Sequence, residues 1–153
     1  MGYRSDVAYA VLFKDEKHPE RAFAEFSHFV EHLRTFKGES YMDEFRGMQI
    51  DKNELIISYQ AEHIKWYEDY PIVQWHNNLL EKVKTYETGN YRFVRIGEET
   101  DDIEENDHSP TAHVWDYISV RREVVIEHVG DELFDVFKEE DTTHEYYAAT
   151  ATT

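Results

Sequence analysis

The chain has 153 residues, enough for one domain that buries about two-thirds of its unfolded surface. Aromatic residues make up 15% of it, which supports a dense core and argues against disorder throughout. There is no cysteine, which excludes a disulfide scaffold, a Cys-ligated zinc site and thiol catalysis, and a formal charge of −17 opposes nucleic acid and anionic membrane as partners.

From Val7 to Phe13 the chain alternates Val, Tyr, Val and Phe with Ala, Ala and Leu. Both sets are apolar, so the segment predicts a central strand covered on at least one side, and the small Ala8 and Ala10 leave room for a helix. Pro19 suits the first turn of a helix running to about Phe36 and ended by Gly38. Its apolar stripe is Ala22, Phe23, Phe26, Val30 and Leu33, with Phe29 at the margin and Arg21, Glu25, His28 and His32 opposite. "EFRGMQI" and "ELIISYQAEHI" predict a hairpin around the polar turn "DKN".

A second helix is expected to start with Asp69 as N-cap and Pro71 in its first turn, and "TGN" ends it. Its stripe is Ile72, Trp75, His76, Leu79, Leu80, Val83 and Tyr86. The strand "YRFVRI" follows, then an acidic segment. After Pro110 come two more strands, "AHVWDYISV" and "EVVIEHV", with Arg121 and Arg122 at the bend. Gly130 and Asp131 open a short helix, "DELFDVFKEE", that buries Leu133, Phe134 and Phe137. The order predicts an α+β fold: a ferredoxin-like, split βαβ antiparallel sheet with helices on one face, extra C-terminal strands and a short helix. Residues 1–140 form the expected single domain, and 141–153, without periodicity, a flexible tail.

Charge is unevenly placed. Residues 1–60 carry eight basic against eleven acidic side chains, 61–97 five against five, and 98–153 three against seventeen. "GEETDDIEENDH", residues 97–108, places seven carboxylates in twelve residues: Glu98, Glu99, Asp101, Asp102, Glu104, Glu105 and Asp107. Three readings are open and rank in this order: a solvated loop, a docking surface for a basic partner, and a cation site. As a calcium loop it lacks the glycine that the sharp turn of an EF-hand needs.

Three stretches together, "MGYRSDVAYAVLFKD", "EHIKWYEDYP" and "YRFVRIGEETDDIE", resemble a family of small uncharacterised bacteriophage proteins. The resemblance covers about the first 120 residues. It implies a phage or prophage origin and an intracellular role during infection. No activity is established for that family, so it carries over no catalytic residue. The C-terminal helix and "YYAATATT" fall outside the pattern.

Other motifs are weaker. His28, Glu31 and His32 fit H-x-x-E-H, in which two histidines one helical turn apart grip zinc, but the pair sits on the polar side of its helix and a third ligand is not apparent. "NYRFVRIG" is similar to an RNA-stacking strand, yet it lacks the glycines and follows the wrong helix, so Tyr91 and Phe93 are expected to pack under a helix or an added strand. Trp66, Tyr67 and Tyr70 surround a helix N-terminus. They suit either a protein-binding hot spot or, by preference, a staple of Trp66 and Tyr70 onto the core.

No nucleophile, base and electrophile can be assembled from the sequence, so no enzyme and no cofactor is expected. The N-terminus has no signal-peptide layout and no apolar stretch reaches transmembrane length, so the expected location is the host cytoplasm, with the virion as the alternative. The leading expectation is a non-enzymatic protein that docks on a basic surface of a host protein, with no direct contact to nucleic acid or membrane. A minor virion or assembly component is the alternative, and a metal-binding protein or metal-dependent enzyme the second. The oligomeric state stays open.

Overall fold

The first apolar run forms β1 (Ser5–Phe13), and every residue from Val7 to Phe13 is buried. In this computed structural model, residues 2–35, 45–114, 118–120, 124–126 and 130–139 are described. After β1 come α1 (Pro19–Thr35), β2 (Met48–Asp51), β3 (Ile56–Ile64), α2 (Pro71–Val83), β4 (Gly89–Gly97) and β5 (Ile103–His108). Two short strands, β6 (Ile118–Val120) and β7 (Val124–Ile126), precede β8 (Asp131–Glu132) and a helix, α3, over 133–139. The fold is α+β. Among the described residues six strands form one antiparallel sheet in the order β5-β4-β1-β3-β2-β8, and β6 pairs with β7 in a second.

The alternation of β1 sorts its side chains onto two different faces. Val7, Tyr9, Val11 and Phe13 point to the helices and share one core with Phe26, Phe29 and Leu33 of α1, Trp75, Leu79, Leu80 and Val83 of α2, and Leu133 and Phe137 of α3. Phe13 meets Phe26, Phe29 and Tyr86 with ring centroids 5.4–5.9 Å apart. Tyr91 and Phe93 lie in this core, under the helices as expected, and are closed to stacking bases. The buried stripe of α1 is Ala22, Phe26, Phe29 and Leu33. Phe29 is fully buried and Phe23 is 60% exposed, the reverse of the sequence expectation. Rings at 23, 26 and 29 leave the phase of the helix ambiguous, and the hollow between Phe13 and Tyr86 settles it for Phe29.

The opposite face is built from smaller groups. Ala10, Leu12 and Ile56 pack with Val114 and Ala112. The β6–β7 ribbon also lies close to β1, β3 and β4. Since β1 already has β3 and β4 as its sheet neighbours, the ribbon can only lie over a face. The helix expected above Ala8 and Ala10 is therefore replaced by an extended segment and a strand pair. Asn90, fully buried, pins that segment. Its Nδ2 donates to the carbonyls of Leu12 and Thr88 and to Thr111 Oγ1, and its Oδ1 accepts the N–H groups of Thr111 and Ala112.

Several boundaries differ from expectation. Tyr70, not Asp69, is the N-cap of α2 and makes no side-chain cap bond, since the tyrosine side chain has no oxygen close enough to its backbone to accept the first-turn N–H groups. The helix ends at Val83, so Tyr86 reaches the core from a turn and Gly89 already pairs with Phe13 in β4. Asp131 and Glu132 extend the sheet beside β2 before α3 begins. Leu133 and Phe137 are buried and Phe134 half-buried. Gly38, the bend at Arg121 and Arg122, and the expected tail at 141–153 lie outside the described residues. Among the described residues no helix is long and apolar enough to cross a membrane.

Candidate functional site

The acidic segment is not a loop throughout: Ile103–His108 is strand β5, paired to β4 from Ile96↔Ile103 to Tyr91↔His108. A tight turn joins the strands, with the Gly97 N–H donating to the Asp102 carbonyl at 2.8 Å and the Asp102 N–H to the Glu99 carbonyl at 3.0 Å. The two arginines of β4 hold the acids in place. Arg95 is bidentate to Asp102 at 2.8 and 3.1 Å and reaches Glu104 at 3.0 Å. Arg92, on the other face, donates to Glu105 at 3.1 Å. A fork-to-carboxylate geometry of this kind fixes orientation as well as charge.

The N-terminal segment closes the site from the side. Tyr3 Oη donates to Asp102 and accepts the Glu99 N–H at 3.2 Å, while the Arg4 N–H donates to Glu98 at 2.8 Å. Arg95 first, and then Tyr3, holds the Asp102 carboxyl at about 2, well below the usual carboxylate range. Bonding to Asp102 raises the Tyr3 hydroxyl in turn.

The seven acids thus divide into two groups. Asp102, Glu104 and Glu105 are ion-paired to arginine. Glu98, Glu99, Asp101 and Asp107 are exposed and make no ion pair among the described residues. Over residues 89–108, two arginines face seven carboxylates, so the hairpin keeps a strong negative excess. Among the described residues β5 pairs on one side only, and it carries Glu104, Glu105, Asn106 and Asp107, all exposed. Charge on an edge strand discourages pairing between like chains and favours a partner of opposite sign.

The other expected residues fall into two separate groups, one on α1 and one at the entry to α2. His28 and Glu31 are exposed on α1, and His28 Nδ1 is 2.6 Å from Tyr86 Oη. Desolvation, then Lys82 and His28, lowers the pKa of His32. Among the described residues no three His, Asp or Glu side chains come together as a metal site. Trp66 is half-buried against Phe93, Tyr59 and His76, whereas Tyr70, the other half of the expected staple, is not among the residues of that core. Tyr67 and Tyr70 pack edge-to-face on each other at 5.1 Å, and Tyr67 Oη accepts the Tyr3 N–H at 2.7 Å. These aromatics therefore stand beside the acidic hairpin, tied to it through Tyr3.

One feature was read in the sequence only as part of an apolar stripe. His76 of α2 is 1% exposed, with Nδ1 2.6 Å from Tyr9 Oη and its ring 4.1 Å from that of Tyr59. Burial lowers His76 to about 3, pushes Tyr59 up to about 12 and raises Tyr9 well above its ordinary value, so all three are neutral near pH 7. Neutral Tyr9 and His76 carry two polar protons between them, and their mutual bond uses one. His76 Nε2 has no partner among the described residues. If Tyr9 donates, the Nε2 proton is left over; if His76 donates from Nδ1, the tyrosine proton is. A buried group left so costs about 1–3 kcal/mol.

No protein family, curated protein or solved structure matches this chain in the comparisons made with each.

Proposed function

We propose that this is a non-enzymatic docking protein whose β4–β5 hairpin engages a basic surface on a partner protein. The observation that carries the reading is the division of the acids: Arg92, Arg95 and Tyr3 fix the hairpin, and Glu98, Glu99, Asp101 and Asp107 stand exposed and without ion pairs among the described residues. A fixed array of carboxylates loses little freedom on binding, and its field speeds encounter with a basic partner. Trp66, Tyr67 and Tyr70 adjoin this surface and supply the apolar contacts that long-lived complexes use. The resemblance to phage proteins supports a role in the cytoplasm of an infected host, where a basic surface that normally holds nucleic acid is one such target. Contact with nucleic acid itself is opposed by the charge of −17.

The reading extends to the fold. The four strands β4-β1-β3-β2 are antiparallel throughout, β1 and β2 run parallel with β3 between them, and α1 and α2 pack on one face. This arrangement supports a split βαβ, ferredoxin-like centre to which β5 and β8 are added as edges.

The test is affinity capture from infected-host lysate at low and elevated salt, beside a bait carrying Glu98→Gln, Glu99→Gln, Asp101→Asn and Asp107→Asn. These four changes leave the arginine-paired acids intact. A basic partner released by salt and lost with the neutralised bait is the expected result. Recovery of virion proteins alone, indifferent to the substitutions, overturns the reading in favour of an assembly component.

A further inference from the structure

We propose that β5 takes up an extended, basic segment of the partner protein as an added strand of the sheet. The inference rests on the docking function proposed above and names how the partner is held. Among the described residues the sheet ends on one side in β8, two residues long, and on the other in β5, six residues long. β5 pairs with β4 in one unbroken register, without a bulge, and contains no proline. Its residues from Ile103 to Asp107 are all exposed, Ile103 by 49%. Short length, bulges, proline and cover are the usual defences of an edge, and β5 has only charge.

The parity of the ladder fixes which backbone groups stand open. Bonded pairs alternate along antiparallel strands. The Lys14 N–H donates to the Thr88 carbonyl, one step beyond Phe13↔Gly89, and the Gly97 N–H donates to the Asp102 carbonyl. Both bonds give the same answer: even-numbered residues of β4 bond to β1, and odd-numbered ones, from Tyr91 to Gly97, bond to β5. Glu104, Asn106 and His108 therefore bond inward, and Ile103, Glu105 and Asp107 turn their backbone outward. The Ile103 N–H donates to the Asp101 carbonyl at 3.1 Å. Its carbonyl and both backbone groups of Glu105 and Asp107 are left open among the described residues.

Charge decides what fills the edge. β5 carries Glu104, Glu105 and Asp107 and no lysine or arginine, so a second copy of the chain would bring carboxylates against carboxylates, whereas lysines make favourable cross-strand pairs. An antiparallel occupant meets Asp107, Asn106, Glu105, Glu104 and Ile103 in that order from its own N-terminus. Lysine opposite each acid, threonine opposite Asn106 and valine opposite Ile103 give Lys-Thr-Lys-Lys-Val. Arg92 and Arg95 already hold the strand through Glu105 and Glu104, so it loses little freedom on binding. Strand addition takes its affinity from main-chain bonds and its specificity from alternate side chains.

The experiment adds acetyl-Lys-Thr-Lys-Lys-Val-amide to the folded full chain and follows binding by NMR and amide hydrogen exchange. Exchange at Glu105 and Asp107 is expected to slow, while Glu104 and Asn106, already bonded to β4, stay unchanged. N-methylation of the peptide's first and third residues, whose backbone faces Asp107 and Glu105, should weaken binding at least about tenfold. Methylation of its second and fourth residues, which face away, should weaken it by less than about threefold. Asp107→Pro, tolerated on an edge where the N–H points outward, should weaken binding more than Asp107→Asn. Equal loss for the two methylated peptides, unchanged exchange at Glu105 and Asp107, or no binding of the peptide overturns the strand addition. Concentration-dependent protection of β5 without peptide also overturns it, in favour of a second copy. The docking reading survives these outcomes if capture is still lost with the neutralised bait. Strand addition combined with capture indifferent to charge sinks the docking reading alone.

Discussion

The two faces of the sheet are closed by different forces. Under the helices the core is aromatic: Tyr9, Phe13, Phe29, Phe45, Tyr91 and Phe137 are all less than 2% exposed, and rings meet at 5–6 Å. On the far side Ala8 and Ala10 supply little area, and buried Ser58, Asn90 and Arg92 bring polar groups that must be satisfied one by one. Area is tolerant of small displacements, whereas hydrogen bonds demand position. One strand thus anchors a thick, forgiving core and a thin, exacting one at once, through a two-residue period.

The largest expected effect lies on the thick side. Phe29→Ala should cost about 3–5 kcal/mol in denaturant unfolding, while Phe23→Ser on the same helix stays within about 0.5 kcal/mol. Near-equal values for the two would break the distinction drawn for α1. On the thin side, Asn90→Ala strands the Thr111 and Ala112 N–H groups and the Leu12 carbonyl. A loss of about 1–3 kcal/mol is expected, with hydrogen exchange quickening at Thr111 and Ala112 before the helices respond. Uniform quickening would show that the two faces unfold as one.

The pH dependence sharpens the comparison further, because the aromatic side encloses His76. Its folded pKa is lowered from 6.5 to about 3 by burial, so between these values the unfolded chain binds a proton that the folded one refuses. Stability therefore falls as pH falls through that window, by at most about 1.4 kcal/mol per pH unit, and His76→Phe should flatten the slope in urea titrations. Asp102 acts in a lower and narrower window. Its contribution is present above 3.8 and is lost as pH falls through about 2. Arg95→Gln should move that final step upward, read from the acid unfolding curve.

Much of the fold was legible because periodicity is local. The alternation of β1 and the stripe of α2 needed no partner to be seen, and the hairpin at "DKN" followed from two strand-like runs. Phe23 and Phe29 exchanged places because a helix with three phenylalanines takes its rotational phase from what it packs against. Composition makes the acidic segment look like a loop because it records solvation, and β5 is solvated yet paired through its backbone. A usable signal was present: Arg92 and Arg95 before the turn answer Asp102, Glu104 and Glu105 after it, as cross-strand pairs should. The role of Tyr3 gave no such sign, its partner Asp102 lying 99 residues away.

The position of β1 has a consequence for synthesis. It leaves the ribosome first among the strands, yet both its neighbours come much later, β3 from residue 56 and β4 from residue 89. Until then "VAYAVLF" is an uncharged, β-prone ribbon with two open edges, the type of window that stacks on copies of itself. At about 5–20 residues per second the nascent chain carries this hazard for several seconds. Expression yield, and the demand for chaperones that shield apolar segments, should therefore follow how long translation pauses before residue 97, the end of β4.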